Sequence, residues 1–214
     1  MIWLARHGET AWNIAGRYQG RLESSLTSRG MQQAIALAEH VAALWANGQC
    51  VPRRLVSSPL ERCTATAQQM ARRLHLDVET DARLIEIAHG TWEGRYKGAL
   101  ERDDFERYRL WRDHPERVVF PGGESLADVR LRWKSFAAEL LRHRQNTLVV
   151  THDAVIRCAL LEIQGRALDE FWTVRVENGA YAAIASADGG FTVVHECVAD
   201  FLGNLRADSA GQAL

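Results

Sequence analysis

Apolar residues in this chain form two kinds of pattern, short unbroken runs and longer stretches spaced by three and four. The unbroken runs are Ile2-Trp3-Leu4-Ala5, Leu55-Val56-Ser57 and Thr147-Leu148-Val149-Val150-Thr151. Runs this short and without alternation predict strands buried on both faces of a sheet. Leu76-Asp77-Val78 predicts a third short strand. Ala180–Ile184 and a strand near Phe191–Val194 end the series, with the Gly189-Gly190 pair as their hairpin turn. Helical spacing runs through Met31, Ala34, Ile35, Ala38, Val41, Ala42 and Trp45, capped by Thr27 or Ser28 and stopped by Asn47-Gly48. Ser58 as cap with Pro59 at the first helical position predicts a second helix. Ser125 with Asp128 resembles a capping box ahead of Leu126, Val129, Trp133, Phe136, Ala137, Leu140 and Leu141. A further helix runs from Ala154 to Ile163 and stops at Gly165. Residues 97–117 read as one basic helix whose Phe105, Tyr108 and Trp111 pack on one face. Residues 8–26 hold no sustained period and read as a loop, and the small, polar tail 200–214 reads as loose.

Composition narrows the function classes. At 214 residues the chain is long enough for one domain with a full core. Apolar residues make up 47% and charged residues 25%, with a net charge of -1, so nothing argues for nucleic acid or an anionic membrane as partner. No apolar run reaches the roughly 18 residues of a membrane span. No signal peptide precedes the first charged motif. Cys50, Cys63, Cys158 and Cys197 show no CxxC spacing and no zinc pattern. With Cys63 and Cys158 in predicted helices, the reading is buried free thiols in a soluble, cytoplasmic protein. Neither a linker nor an internal repeat interrupts the chain.

The candidate chemistry sits at strand ends, where ligands gather in open α/β sheets. The first strand ends in Arg6-His7-Gly8. A neutral imidazole can attack phosphorus if cations neutralise the phosphoryl oxygens, and Gly8 would let the backbone come close to them. The 147–151 strand likewise delivers His152-Asp153. Arg62 falls in a first helical turn, where a cation opposes the helix dipole, which favours a functional role. Gln19, beside Gly20 in the 8–26 loop, either donates to an oxyanion or faces solvent. Glu86, between Ile85 and Ile87, is either a carboxyl whose apolar setting keeps its proton or a residue on the wet face of a strand. Glu124 either reaches a substrate or merely favours a helix N-terminus. Residues 88–124, with interleaved Arg, Asp and Glu, read as a helical flap rather than a nucleic-acid surface.

Arg6-His7-Gly8-Glu9-Thr10 with Asn13, Ser58-Pro59-Leu60-Glu61-Arg62, Glu86-x-x-x-Gly90-x-Trp92-Glu93-Gly94 and Thr151-His152, in that order, resemble the histidine phosphatase superfamily, which includes the cofactor-dependent phosphoglycerate mutases. Leu26-Thr27-x-x-Gly30-x-x-Gln33-Ala34 is similar to the family's first helix. The resemblance implies an α/β fold, a three-layer α/β/α sandwich with a mostly parallel central sheet and a small helical flap over the site. It implies that His7 becomes phosphohistidine, that Arg6, Arg62 and His152 bind the phosphoryl group with Asn13 in support, and that Glu86 is general acid and then base. It further implies a reaction without metal or other cofactor on a small phosphorylated metabolite. Asp153 departs from the pattern, which usually has Gly; capping the 154–163 helix would tie its charge to backbone amides, and it also hints at a less anionic substrate. The short flap is similar to the phosphatase branch rather than the mutases. Gly90-x-Trp92-Glu93, Pro121-Gly122-Gly123-Glu124-Ser125 and Phe171-Trp172-x-x-Arg175-Val176-x-x-Gly179 are similar to α-ribazole phosphatases. A phosphoglycerate mutase, a non-catalytic binder of phosphate esters, and a monomer or a homodimer all stay open.

Overall fold

Six strands form one sheet in the order β3-β2-β4-β1-β5-β6 in the computed structural model, which describes residues 1–46 and 51–207. The strands are β1 (Ile2–Arg6), β2 (Arg54–Ser57), β3 (Val78–Thr80), β4 (Thr147–Thr151), β5 (Tyr181–Ala187) and β6 (Gly190–Val198). β1 to β4 are parallel, and the β5–β6 hairpin adds antiparallel on the β1 edge. Helices cover both faces, so the α/β/α sandwich with a mostly parallel sheet is the fold observed. Trp3, Ala5, Leu55, Leu148 and Val150 pack with Leu37, Val41, Cys63 and Met70, from helices α2 (Ser28–Ala46) and α3 (Glu61–Leu74). Ile2, Leu4, Val56 and Val149 face the other way, against α6 (Leu126–His143) and α7 (Asp153–Ile163). The unbroken apolar runs of β1 and β4 follow from this, because each of their positions belongs to one of two cores.

Between α3 and α6 the chain makes an excursion through residues 88–124. It carries α4 (Lys97–Asp103) and α5 (Phe105–Asp113) and closes on itself where Glu124 N donates to Ala88 O at 2.9 Å. Its own core is aromatic, built from Trp92, Tyr108, Trp111 and Phe120. The predicted single helix over 97–117 is broken at Asp104, whose carboxylate takes the Trp92 indole N–H at 2.8 Å and also binds Arg107. The break turns Phe105 outward, so Tyr108 and Trp111 pack while Phe105 stays exposed.

Several other expectations need correction. The 8–26 segment contains a short helix, α1 (Ala11–Ala15), started by a reciprocal Thr10–Asn13 capping box that carries no apolar period. α3 begins at Glu61, three residues after Ser58, with the extended Leu60 rather than Ser58 at its N-cap. β3 lies two residues later than read, at Val78–Thr80. Residues 200–205 are not loose: they form a 3-10 turn that buries Leu202, and Gln33 Nε2 donates to Leu205 O at 2.8 Å. The Asn47-Gly48 stop, Cys50 and tail residues 208–214 lie outside the described residues. Cys63 and Cys158 are buried, and they and Cys197 are free thiols. No helix among the described residues is long and apolar enough to cross a membrane.

Candidate active site

The parallel register of β1 and β4 sets Arg6 beside Thr151, so the residues that follow, His7 and His152, leave the sheet at the same level. His7 N donates to Thr151 O at 3.1 Å, and the two imidazoles meet edge to face with centroids 5.2 Å apart. Adjacent β2 ends at the same edge and delivers Ser58, whose Oγ lies 2.8 Å from His152 Nε2. His7 Nδ1 lies 2.8 Å from Gly8 O, which places the ring proton on Nδ1 and leaves the Nε2 lone pair free. His7 is 2% exposed. Burial, then Arg62 and Arg6, hold it well below the ordinary imidazole range, so it is neutral. Burial and Arg62 do the same to His152.

Two buried arginines flank the pair. Arg62, early in α3, donates from Nη2 to Gly20 O at 2.7 Å and from Nη1 to Leu22 O at 2.9 Å, while its Nε finds no acceptor among the described residues. Arg6 Nη1 donates to Val176 O at 3.2 Å and meets Asp153 Oδ2 at 3.0 Å. Asp153 occupies the first turn of α7 without capping it, contrary to expectation. Its second oxygen pairs with Arg157 one turn on, so two guanidinium groups hold the charge that backbone amides were expected to hold. Both carboxylate oxygens thus face arginine, which leaves Asp153 poorly placed as a substrate ligand.

Glu86 is not on a strand; it lies between two 3-10 turns, 3% exposed, with Oε1 accepting from Ile87 N at 2.9 Å. Burial first, then Asp153, push its carboxyl up to about 7, against the opposing pull of Arg62 and Arg6. Glu86 is therefore buried rather than on the wet face of a strand. Asn13 is buried in α1, its Oδ1 accepting from Thr10 N and from Asn178 Nδ2, and its Nδ2 has no partner among the described residues. Gln19 is buried too, neither in solvent nor free, since Thr10 Oγ1 donates to its Oε1 at 3.0 Å. Gly20 serves the site through the carbonyl that holds Arg62. Its φ of 51° and its packing on Glu93 require glycine there. Gly8 answers a different demand from the one read in the sequence: a Cβ there would sit 2.2 Å from Gly30 O, so α2 rather than a ligand makes the close approach. Glu124 pairs with Arg132 and Arg21 and accepts from Ala88 N.

Sequence reasoning missed some neighbours. Ser58 and Cys63 both contact the His152 ring, Cys63 Sγ at 3.3 Å from Nε2. Asn178 donates to His7 O at 3.2 Å. His89 lies wholly buried against Tyr18 and Phe120, pulled down to about 3 by burial and then Arg62. Only the Ser58-Pro59 pair carried a visible signal, and helix capping absorbed it. No group of three or more His, Cys, Asp or Glu placed to hold a metal ion occurs among the described residues. The arrangement brings together a neutral imidazole, two buried guanidinium groups and a carboxyl pushed up to about 7, groups of the kind that phosphoryl transfer uses.

Comparison with known proteins agrees with this geometry. Residues 2–198 match the histidine phosphatase superfamily (branch 1), and the chain belongs to that family. It is 36% identical over 188 residues to phosphoserine phosphatase 1 of Hydrogenobacter thermophilus, covering 85% of this chain and 84% of that protein. It is 33% identical over 185 residues to the adenosylcobalamin/α-ribazole phosphatase of Escherichia coli, covering 86% and 88%. The crystal structure of a putative α-ribazole-5'-P phosphatase from Escherichia coli superposes with a TM-score of 0.81 at 30% identity, covering 92% of this chain and 95% of that one.

Proposed function

We propose that the chain is a metal-independent phosphomonoesterase acting through phosphohistidine on a small phosphorylated metabolite. The observation that carries this is a neutral His7 with a free Nε2, set beside two buried arginines that also act on a buried carboxyl, Glu86, pushed up to about 7. Nε2 attacks phosphorus while Arg6 and Arg62 balance charge on the phosphoryl oxygens and the neutral His152 hydrogen-bonds to them. Glu86 gives its proton to the departing ester oxygen, and the P–O bond breaks as the P–N bond forms. The resulting carboxylate then takes a proton from water, whose oxygen displaces His7 and releases phosphate. The two arginines supply the charge balance that Mg²⁺ supplies in other phosphoryl-transfer sites. Asn13 Nδ2 and Arg62 Nε, buried donors without acceptors among the described residues, support an anion at this place.

His7, Arg62, Glu86 and His152 are all buried, so a substrate reaches them when the segment bearing Gly20 and Leu22 moves away from Arg62. Arginines of the 88–124 excursion pair with carboxylates, Arg95 with Asp103 and Arg107 with Asp104, which favours a small metabolite over nucleic acid. The buried free thiols support a reducing, cytoplasmic setting. Phosphoserine and α-ribazole phosphate, named for the two relatives above, head the substrate candidates. Hydrolysis of a panel holding both esters, 3-phosphoglycerate and p-nitrophenyl phosphate, in EDTA, tests the reading. Metal-free release of phosphate with one ester well ahead supports it. Isomerised phosphoglycerate without phosphate release points to a mutase, and binding without turnover points to a non-catalytic member.

A further inference from the structure

Asp153 is the one charged group at the phosphoryl site whose residue type departs from the pattern the chain otherwise follows, and it is buried with both oxygens engaged. Oδ2 lies 3.0 Å from Arg6 Nη1, and both side chains are only 3% exposed. Oδ1 meets Arg157 Nε, and Arg157 in turn donates from Nη1 to Phe171 O at 3.1 Å and to Val174 O. The carboxylate therefore ties β1, α7 and the 171–174 turn into one arginine–carboxylate–arginine bridge. The same Arg6 Nη1 also donates to Val176 O at 3.2 Å. A bridge so far from water confers little stability in itself, because desolvating three charges offsets their attraction. Its placement immediately after His152 and against Arg6 argues for a role in the chemistry.

We propose that Asp153 is a positioning residue of the phosphoryl-transfer site: it clamps Arg6 and supplies the fixed negative charge against which Glu86 works as the proton donor. The inference rests on the reading of Glu86 as general acid. The groups that act on Glu86 come from three elements: Arg6 of β1, Arg62 and Cys63 of α3, and Asp153 and Cys158 of α7. Both thiols are pushed up by burial, Cys158 to about 12, and stay neutral. His7 and His152 are neutral as well. The charge balance at Glu86 is thus two arginines against one carboxylate, Asp153. Without Asp153 burial alone would oppose the two guanidinium charges, so Glu86 would release its proton at lower pH and less acid would remain for a poor leaving group at neutral pH.

The test is a ¹³C NMR titration of the Glu86 side-chain carboxyl, assigned with Glu86→Gln, in the unaltered protein and in Asp153→Asn. It is read beside the pH profile of kcat/KM for an alkyl phosphate. The Glu86 midpoint should fall by about one pH unit in Asp153→Asn, and the basic limb of the profile should fall with it, about tenfold in rate above the limb. Asp153→Gly, which restores the family's usual residue, carries the same test if Asn at this position prevents folding. An unmoved Glu86 titration in a folded variant overturns the inference and leaves the acid role of Glu86 intact. A carboxyl that moves while the rate limb stays in place overturns Glu86 as the acid, and with it the role assigned here to Asp153.

Discussion

Glu86→Gln should damage activity and improve stability, and the improvement should depend on pH in a way set by burial. In the fold Glu86 titrates near 7, against an ordinary 4.5. Between those values the folded chain keeps a proton that the unfolded chain has released. Unfolding is therefore favoured progressively as pH rises from 4.5 toward 7, and the full penalty persists above. A gap of this size corresponds to about 3 kcal/mol, at roughly 1.4 kcal/mol per pH unit. Gln has the same shape, keeps Oε1 for the Ile87 N–H, and carries no charge to desolvate. Denaturant unfolding of both proteins should show the variant gaining about 2–3 kcal/mol more on the parent at pH 8 than at pH 5. The histidines His7 and His152 also titrate differently on folding, but their contribution is common to both proteins and cancels in the difference. Loss of the proton donor should slow phosphorylation by an alkyl phosphate by about 10²–10⁴. Nitrophenolate needs little help to leave, so p-nitrophenyl phosphate should give a rapid burst followed by slow release of phosphate. A stability difference that stays flat between the two pH values would refute the burial argument. Equal losses for alkyl and nitrophenyl esters in the first turnover would remove Glu86 as the acid.

Two further outcomes follow from the site and its frame. His7→Ala should abolish turnover and the trapping of ³²P-labelled phosphoenzyme, while circular dichroism and melting stay near the parent, since the ring's main polar contact is with Gly8 O next door; turnover by a folded variant would end the phosphohistidine mechanism. Gly30→Ala should cost about 1–3 kcal/mol in denaturant unfolding, because a Cβ there would meet Glu9 O at 2.0 Å and push α2 away from the segment that follows His7; a variant as stable as the parent would show that this contact yields easily.

The parts of the fold legible in the sequence are those enforced by local rules. β1 and β4 announce themselves because two cores leave no position for a polar side chain, and α6 because Ser125 and Asp128 form its capping box. Arg6, His7, Arg62, Glu86 and His152 were visible as strand-end and misfit residues, and the family pattern joined them before any geometry did. What stayed hidden depends on distance in space rather than along the chain. α1 has one capping box and no apolar period, so only its capping box marked it. Asp104 breaks a helix because an indole N–H waits twelve residues earlier, and Leu202 orders the tail because α2 and Ala180 offer it a place. Asp153 shows the limit most clearly. A carboxylate at a helix start reads as a cap by every local rule, yet here Arg6, 147 residues away, arrives on the neighbouring strand and takes the charge instead. Local propensity proposes a partner for each polar group, and the strand order decides which partner arrives. At this sheet edge the order β2-β4-β1 brings Ser58, His152 and His7 together, and the Arg6 that comes with β1 turns a capping carboxylate into part of the site.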